Sequence, residues 1–247
     1  MPDFTFVIWV LVVFYAITVG IAKTGVPGIG LLGVVALITF SEDAKTAVGL
    51  MLPLLVAGDL FALAYYRRHA VWRHVLRLLP WAVAGILIGH QAIGLIDDHL
   101  LRRIIGGLTI ALLAADLWRS SGKEKAEVPT QWWFAAVIGV LAGFATMIAN
   151  AAGPLIIVYF LAMRLEKEQF LGTGAWYFLI LNCFKVPFFL HRKMITTGTL
   201  AADLVLLPAI AAGALAGVFL LKRIPQTRFV MIVRILTLLA AVKLLAF

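Results

Sequence analysis

Ten apolar segments separated by short polar loops make up almost the whole chain. Eight of them are close to the ~20 residues that a helix needs to cross a bilayer, and two are clearly shorter. Hydrophobic residues are 63% of the sequence and charged residues 13%, so there are too few polar groups to coat a soluble domain. The pattern predicts an all-α, polytopic membrane protein with segments at residues 4–22, 28–40, 46–66, 76–95, 101–118, 132–149, 154–164, 170–190, 199–221 and 227–246.

The ten segments fall into two similar halves. In each half a glycine-proline break follows the first segment, and the second segment is the short one. The breaks read Lys-Thr-Gly-Val-Pro-Gly-Ile-Gly over residues 23–30 and Asn-Ala-Ala-Gly-Pro over residues 150–154, which places Gly28 and Gly153 125 residues apart. We predict two five-segment repeats, each with a broken or re-entrant short helix, at residues 1–118 and 132–247, joined by a polar linker at residues 119–131.

Further glycines follow the same repeat. Gly85 matches Gly213 and Gly89 matches Gly217, both at a spacing of 128 residues. Small residues at a spacing of four are common where membrane helices pack closely, so we interpret these four as packing residues. The same explanation is the alternative for the glycines of the two breaks.

The distribution of basic residues predicts the topology. If the segments alternate in direction, thirteen Lys and Arg residues fall on one side of the membrane and five on the other. By the positive-inside rule the thirteen face the cytoplasm, which puts both termini outside. An odd number of crossings in each half inverts the second half relative to the first. No basic residue precedes Lys23, so we expect the first segment to be retained and not cleaved as a signal peptide.

Several classes of function are excluded by what the sequence contains. Cys183 is the single cysteine, so neither a disulfide framework nor a cysteine metal site is expected. The basic residues are scattered over many loops, which is not the pattern of a nucleic-acid-binding domain. The adjacent acids at residues 42–43 and 97–98 lie in short loops without histidine ligands at useful spacing. We therefore expect no enzyme activity, no metal and no cofactor.

The two breaks predict a binding site. Proline is favoured in the first turn of a helix, so Pro27 and Pro154 should mark helix starts whose free N–H groups and positive dipole attract an anion. Glycines would let a ligand approach the backbone, and two neutral side chains would add hydrogen-bond donors. We predict a dehydrated pocket for a small oxyanion between two inverted helix starts, built from Thr24, Gly25, Pro27, Gly28, Gly30, Asn150, Gly153 and Pro154.

Charged residues inside apolar segments are costly and are the next candidates. Asp59 and Lys185 lie at nearly equivalent places in the third and eighth segments. One interpretation is a structural ion pair between them; the other gives Lys185 to an anion and Asp59 to a coupled proton. Lys23 is either a cation of the pocket or an interfacial lysine. Trp176 and Asn182 lie in the eighth segment before Lys185 and are candidates for lining the pocket, although packing is the alternative for the tryptophan.

The strings at residues 23–30 and 150–154, in a chain of 247 residues, resemble the TauE/SafE sulfite exporter family over essentially the whole length. The resemblance implies a duplicated, inverted helical bundle that moves sulfite, thiosulfate, sulfonates or related anions across the bacterial inner membrane. It also implies partners: a small sulfur-containing anion and membrane lipid, with protons and a second copy of the chain as further candidates. The chain departs from strict symmetry, because Ile148 and Ala149 stand where the first half has Lys23 and Thr24.

Two functions stay open at this point. The first is a secondary transporter that exports a sulfur anion by alternating access at a midplane site. Its driving force is either a proton carried by Asp59 or the inside-negative membrane potential, which pushes anions outward. The alternative is an ion-coupled permease for another small solute such as an amino acid.

Overall fold

A computed structural model describes residues 6–30, 44–92, 98–121 and 131–246. These residues form α-helices without any strand, as the sequence predicts. The helices are α1 (Phe6–Thr24), α2 (Ala44–Tyr66), α3 (Trp72–Ala92), α4 (Asp98–Ser121), α5 (Trp132–Ala149), α6 (Gly153–Ala162), α7 (Lys167–His191), α8 (Thr197–Arg223) and α9 (Gln226–Ala246), with a 3-10 turn at Arg67–His69. Each helix corresponds to one apolar segment. Residues 31–40 of the predicted segment at 28–40 lie outside the described residues, as does most of the predicted linker.

Length and hydropathy together identify the helices that could span a membrane. Six helices of the described chain are long and apolar enough to cross a membrane, at Phe6–Thr24, Gly49–His69, Trp72–Ala92, Lys167–His191, Thr197–Arg223 and Gln226–Ala246. By contrast, α6 has 10 residues. At 1.5 Å per residue it is only about half as long as the hydrocarbon core is thick. The predicted short helix of the second half is therefore confirmed.

The helices pack into two compact units. The first unit comprises Met1–Ala70 and Leu171–Pro225, and the second comprises Val71–Phe170 and Gln226–Phe247. Neither unit coincides with a predicted half of the sequence, because each combines helices from both halves. The first unit holds α1, α2, α8 and most of α7, whereas the second holds α3, α4, α5, α6 and α9.

In the first unit, α1 and α8 are in direct backbone contact. A Cβ atom added at Gly20 would lie 2.6 Å from the Ala214 nitrogen, and one added at Gly213 would lie 3.0 Å from the Ile17 Cα atom. Neither position has room for a methyl group. The packing interpretation of Gly213 is therefore confirmed.

In the second unit, α3 and α5 make the same kind of contact. A Cβ atom at Gly85 would lie 2.8 Å from the Phe144 nitrogen, and one at Gly143 would lie 2.7 Å from the Ala82 carbonyl carbon. Gly85 and Gly213, which match in the predicted repeat, thus each allow close contact between two helices, one pair in each unit. This agreement supports the duplication, which stays a prediction.

Contacts inside the first unit also give the relative directions of its helices. Gly20 meets Ala214 and Gly25 meets Gly217, so α1 and α8 run parallel. The Tyr66 hydroxyl at the end of α2 donates to the Thr24 carbonyl oxygen at 2.9 Å, which brings the ends of α1 and α2 together. Parallel packing of the first, third and ninth segments is what alternation of ten segments predicts.

The short helix α6 lies in the interior of the second unit. All eight residues from Pro154 to Leu161 are buried. The Tyr159 ring stacks on Phe134 of α5 with centroids 5.7 Å apart, and Phe160 meets Phe170 edge-on at 5.1 Å. Helices that are apolar on every side are stable only when surrounded in this way.

We expect Gly85→Ala to destabilise the protein by about 1–3 kcal/mol, since the added methyl group would force α3 away from α5. Gly107→Ala is the matched control. Its Cβ atom would meet only Leu245 Cδ2, at 4.0 Å, so the gain in helix propensity of up to about 1 kcal/mol should remain. Thermal unfolding of both purified variants measures the difference, and equal stabilities would contradict the packing argument.

Candidate functional site

The first glycine-proline break is a turn that begins where α1 ends. The Gly25 and Val26 amides both donate to the Ile21 carbonyl oxygen, at 2.8 and 3.1 Å. Gly28 has a φ of 100°, which a right-handed helix cannot contain. Residues 27–29 lie in a turn, and the helix predicted to begin at Pro27 falls outside the described residues from residue 31 onward.

Two predicted ligands of this break are used for packing. The single hydroxyl hydrogen of Thr24 is shared between the Ala214 carbonyl oxygen at 2.7 Å and the Gly20 carbonyl oxygen at 3.0 Å. A Cβ atom at Gly25 would lie 2.6 Å from the Gly217 Cα atom. In this conformation both residues join α1 to α8, and neither offers a donor to a ligand.

A buried charge cluster lies beside this break. Lys23 Nζ of α1 is 2.5 Å from Asp59 Oδ1 of α2, and Asn182 Nδ2 of α7 donates to Asp59 Oδ2 at 2.8 Å. The Asp59 side chain is fully buried, and that of Lys23 is 15% exposed. Lys23 Nζ also lies 4.4 Å from the centroid of the Phe178 ring, within the range of a cation–π contact. We call Lys23, Asp59, Phe178 and Asn182 the Asp59 cluster.

Lys23 forms the short ion pair with Asp59, whereas Lys185, the partner in the ion-pair interpretation, lies near it. Lys185 is fully buried one turn beyond Asn182, with its Nζ 5.7 Å from the centroid of the Phe189 ring. It is near enough for its charge to act on both Asp59 and Lys23. The first unit thus holds two buried or nearly buried lysines around one carboxylate.

Trp176 is not a member of the Asp59 cluster. Its indole Nε1 donates to the Arg67 carbonyl oxygen at 3.4 Å, and its ring packs on the cluster of Ala62, Leu63 and Ala175. Trp176 therefore fixes α7 to the end of α2. The packing alternative describes it better than a role in lining a pocket.

The second break lies in the second unit and has a different geometry. Asn150 adopts a left-handed conformation with φ 51° and caps α5, because its backbone N–H donates to the Thr146 carbonyl oxygen at 3.2 Å. Pro154 lies in the first turn of α6, as predicted. A Cβ atom at Gly153 would meet nothing within 4 Å, so open space adjoins the helix start. That the two breaks face one site stays a prediction.

A second ion pair, to which the sequence analysis gave no role, joins α4 and α9. Arg234 donates through Nε at 2.9 Å and through its terminal nitrogen at 2.6 Å to the same Asp116 oxygen. Cavities of about 490 and 380 Å³ lie in this region, the first lined in part by Arg234 and the second by Asp116. Neither contains a predicted site residue, and mostly apolar side chains line both. The signal available in the sequence was one acid and one base deep in the fifth and tenth segments.

Comparison with known proteins gave one finding. A family model described as sulfite exporter TauE/SafE matches residues 10–244, nearly the whole chain. No curated protein and no solved structure gave a match.

We expect Lys23→Met to destabilise the protein by about 3–5 kcal/mol, because it leaves the Asp59 carboxylate buried without its counter-charge. Adding Asp59→Asn should recover part of this loss, since the amide carries no charge. Chemical unfolding of the single and double variants tests the coupling, and Lys222→Met is the control because that lysine is exposed on α8. Additive effects of the two substitutions would contradict the pairing.

Proposed function

Because this chain belongs to the TauE/SafE sulfite exporter family of membrane transporters, we propose that it exports a small sulfur-containing anion. Sulfite, thiosulfate and organosulfonates are the candidate substrates. The proposed setting is the bacterial inner membrane with both termini in the periplasm, and the proposed mechanism is alternating access around a site at mid-depth.

The excess of basic over acidic side chains around Asp59 carries this proposal. Lys23 pairs with Asp59, and Lys185 is near enough for its charge to act on the same carboxylate, so two lysines and one acid meet at this place. Charged groups are expensive in a membrane interior. A bound anion would interact favourably with the two lysines, whereas a cationic or neutral solute would not. This difference favours an anion over an amino acid or another neutral solute.

Asp59 and the substrate would compete for Lys23. The Asp59 carboxylate pairs with the Lys23 ammonium group at 2.5 Å, and Asn182 donates a hydrogen bond to the other carboxylate oxygen. Protonation of Asp59 would weaken this pair and leave Lys23 available to the anion, steadied by the Phe178 ring at 4.4 Å. The proposed cycle therefore binds the anion more tightly when Asp59 is neutral.

The start of α6, in the second unit, is a separate candidate contact for an anion. Free N–H groups and the helix dipole favour an anion at a helix N-terminus. Open space next to Gly153 leaves room for an anion to approach these groups. Gly28, with its φ of 100°, allows the chain to turn sharply after Lys23, so the break itself places the lysine.

The membrane potential supplies the direction. An inside-negative potential drives each negative charge outward with about 2.3 kcal/mol per 100 mV. A dianion such as thiosulfate gains twice this free energy. Export in this scheme therefore needs no separate energy source, and Asp59 sets how strongly binding depends on pH.

Flux measured in liposomes with the purified full-length protein tests the proposal. The panel is sulfite, thiosulfate, an organosulfonate, sulfate and chloride, with an imposed membrane potential. We expect saturable movement of the sulfur anions and its loss in Gly153→Leu, which fills the space at the start of α6. Gly107→Leu is the control, because that helical glycine also has room for a side chain. Full flux in folded Gly153→Leu, or sodium-dependent amino acid uptake without anion movement, would overturn the proposal.

We expect the apparent affinity for thiosulfate to rise as pH falls, by at most tenfold per pH unit if one proton is bound. Thiosulfate is suitable because it stays fully ionised near neutral pH. Asp59→Asn should give a shallower profile, since its amide is neutral at every pH, whereas Asp116→Asn should keep the wild-type slope. An unchanged slope in Asp59→Asn would remove Asp59 from the mechanism.

A further inference from the structure

A second buried acid lies in the first unit, away from the Asp59 cluster. Asp203 of α8 is 5% exposed, and among the described residues neither of its carboxyl oxygens has a hydrogen-bond partner. The hydroxyl of Tyr15 on α1, which is fully buried, also has no partner within the described chain. Unsatisfied polar atoms of this kind are rare in folded proteins and call for an explanation.

The surroundings of these two side chains are apolar. Tyr15 packs in a hydrophobic cluster formed by α1, α2 and α8. This cluster includes Ala202, the residue before Asp203, together with Val12, Ala16, Val19, Leu50, Met51, Leu54, Leu206 and Ile210. Asp203 is close enough to Tyr15 for a charge on its carboxylate to act on the phenol. The two residues therefore share one region of the α1–α8 contact.

No described side chain neutralises a charge at this place. Lys23, the basic residue of α1, lies at the end of that helix and pairs with Asp59 of α2. Asp59 is in turn the charged residue among the described side chains of α2. Lys45 precedes Gly49 on α2, and its side chain lies outside the described residues. An ionised carboxylate here would have an unfavourable insertion free energy, whereas a neutral carboxylic acid avoids most of this penalty.

We propose that Asp203, packed beside Tyr15, is a proton-binding site that controls the packing of α1 on α8. While the two helices are in contact, the carboxyl group keeps its proton, and neither it nor the phenol has a hydrogen-bond partner among the described residues. When the proton leaves to water, the carboxylate needs hydration, and the outer part of the α1–α8 contact opens. This site is distinct from Asp59 and does not depend on the identity of the transported solute.

Infrared spectroscopy of the full-length protein in liposomes tests the protonation directly. A protonated carboxyl group has a C=O stretching band that a carboxylate lacks. We expect this band in the wild type at neutral pH, its loss in Asp203→Asn, and its retention in Asp116→Asn, whose carboxylate is paired with Arg234. Identical bands in the wild type and Asp203→Asn would overturn the proposal, as would absence of the band from the wild type.

Two further measurements keep the test decisive if Asp203→Asn folds poorly. Tyr15→Phe should leave the acid band in place, because the phenol makes no hydrogen bond to the carboxyl group, and loss of the band would contradict a proton held by the apolar surroundings. Amide hydrogen exchange in Phe6–Ala16, corrected for the intrinsic pH effect, should rise in the wild type when pH is raised. In Asp203→Asn it should stay constant, and an equal rise in both proteins would contradict control by Asp203. None of these readouts uses transport, so failure of the proposed function would leave them interpretable.

Discussion

Direct backbone contact between paired helices is the constraint on which the other features rest. In a membrane, apolar side chains gain little by leaving lipid for protein, so close van der Waals contact and hydrogen bonds hold helices together. Gly20, Gly25, Gly213 and Gly217 allow α1 to touch α8, and only at this distance can the Thr24 hydroxyl reach the Ala214 carbonyl oxygen. That contact fixes the end of α1 and therefore the position of Lys23, which follows two turns after Ala16 and points at Asp59.

The charges of the first unit follow from this packing. Three helices converge on Asp59, because α1 supplies Lys23, α2 supplies the carboxylate and α7 supplies Asn182. Each contact is short and desolvated, so the loss of one partner is felt by the others. Lys185, also on α7, is near enough for its charge to act on Asp59. The Asp59 cluster is thus assembled from segments far apart in the sequence, and its contacts exist only in the folded unit.

The sequence was sufficient for the local features and insufficient for the partnerships. Helix order, the short α6 and its start at Pro154, and the packing role of Gly85 and Gly213 all follow from composition and spacing. The partner of Asp59 does not, because it depends on how α1, α2 and α7 are rotated about their axes. A spacing of 125 residues brings Lys185 opposite Asp59 on paper, but the side chain that reaches the carboxylate belongs to Lys23. The contacts of Thr24 and Gly25 with α8 are likewise not predictable, because sequence spacing does not reveal which helix packs against them.

Each compact unit combines helices from the first and the last parts of the described chain, and this has a consequence for biosynthesis. α1 ends at Thr24, yet α8, against which it packs, begins only at Thr197. Asp116 likewise waits 118 residues for Arg234. A nascent chain that has left the ribosome as far as the end of α6 contains neither unit in full, so the glycine face of α1, and Asp116 without Arg234, must be tolerated in the bilayer until α8 and α9 are inserted. Completion of each unit is therefore a late event that follows insertion of most of its helices.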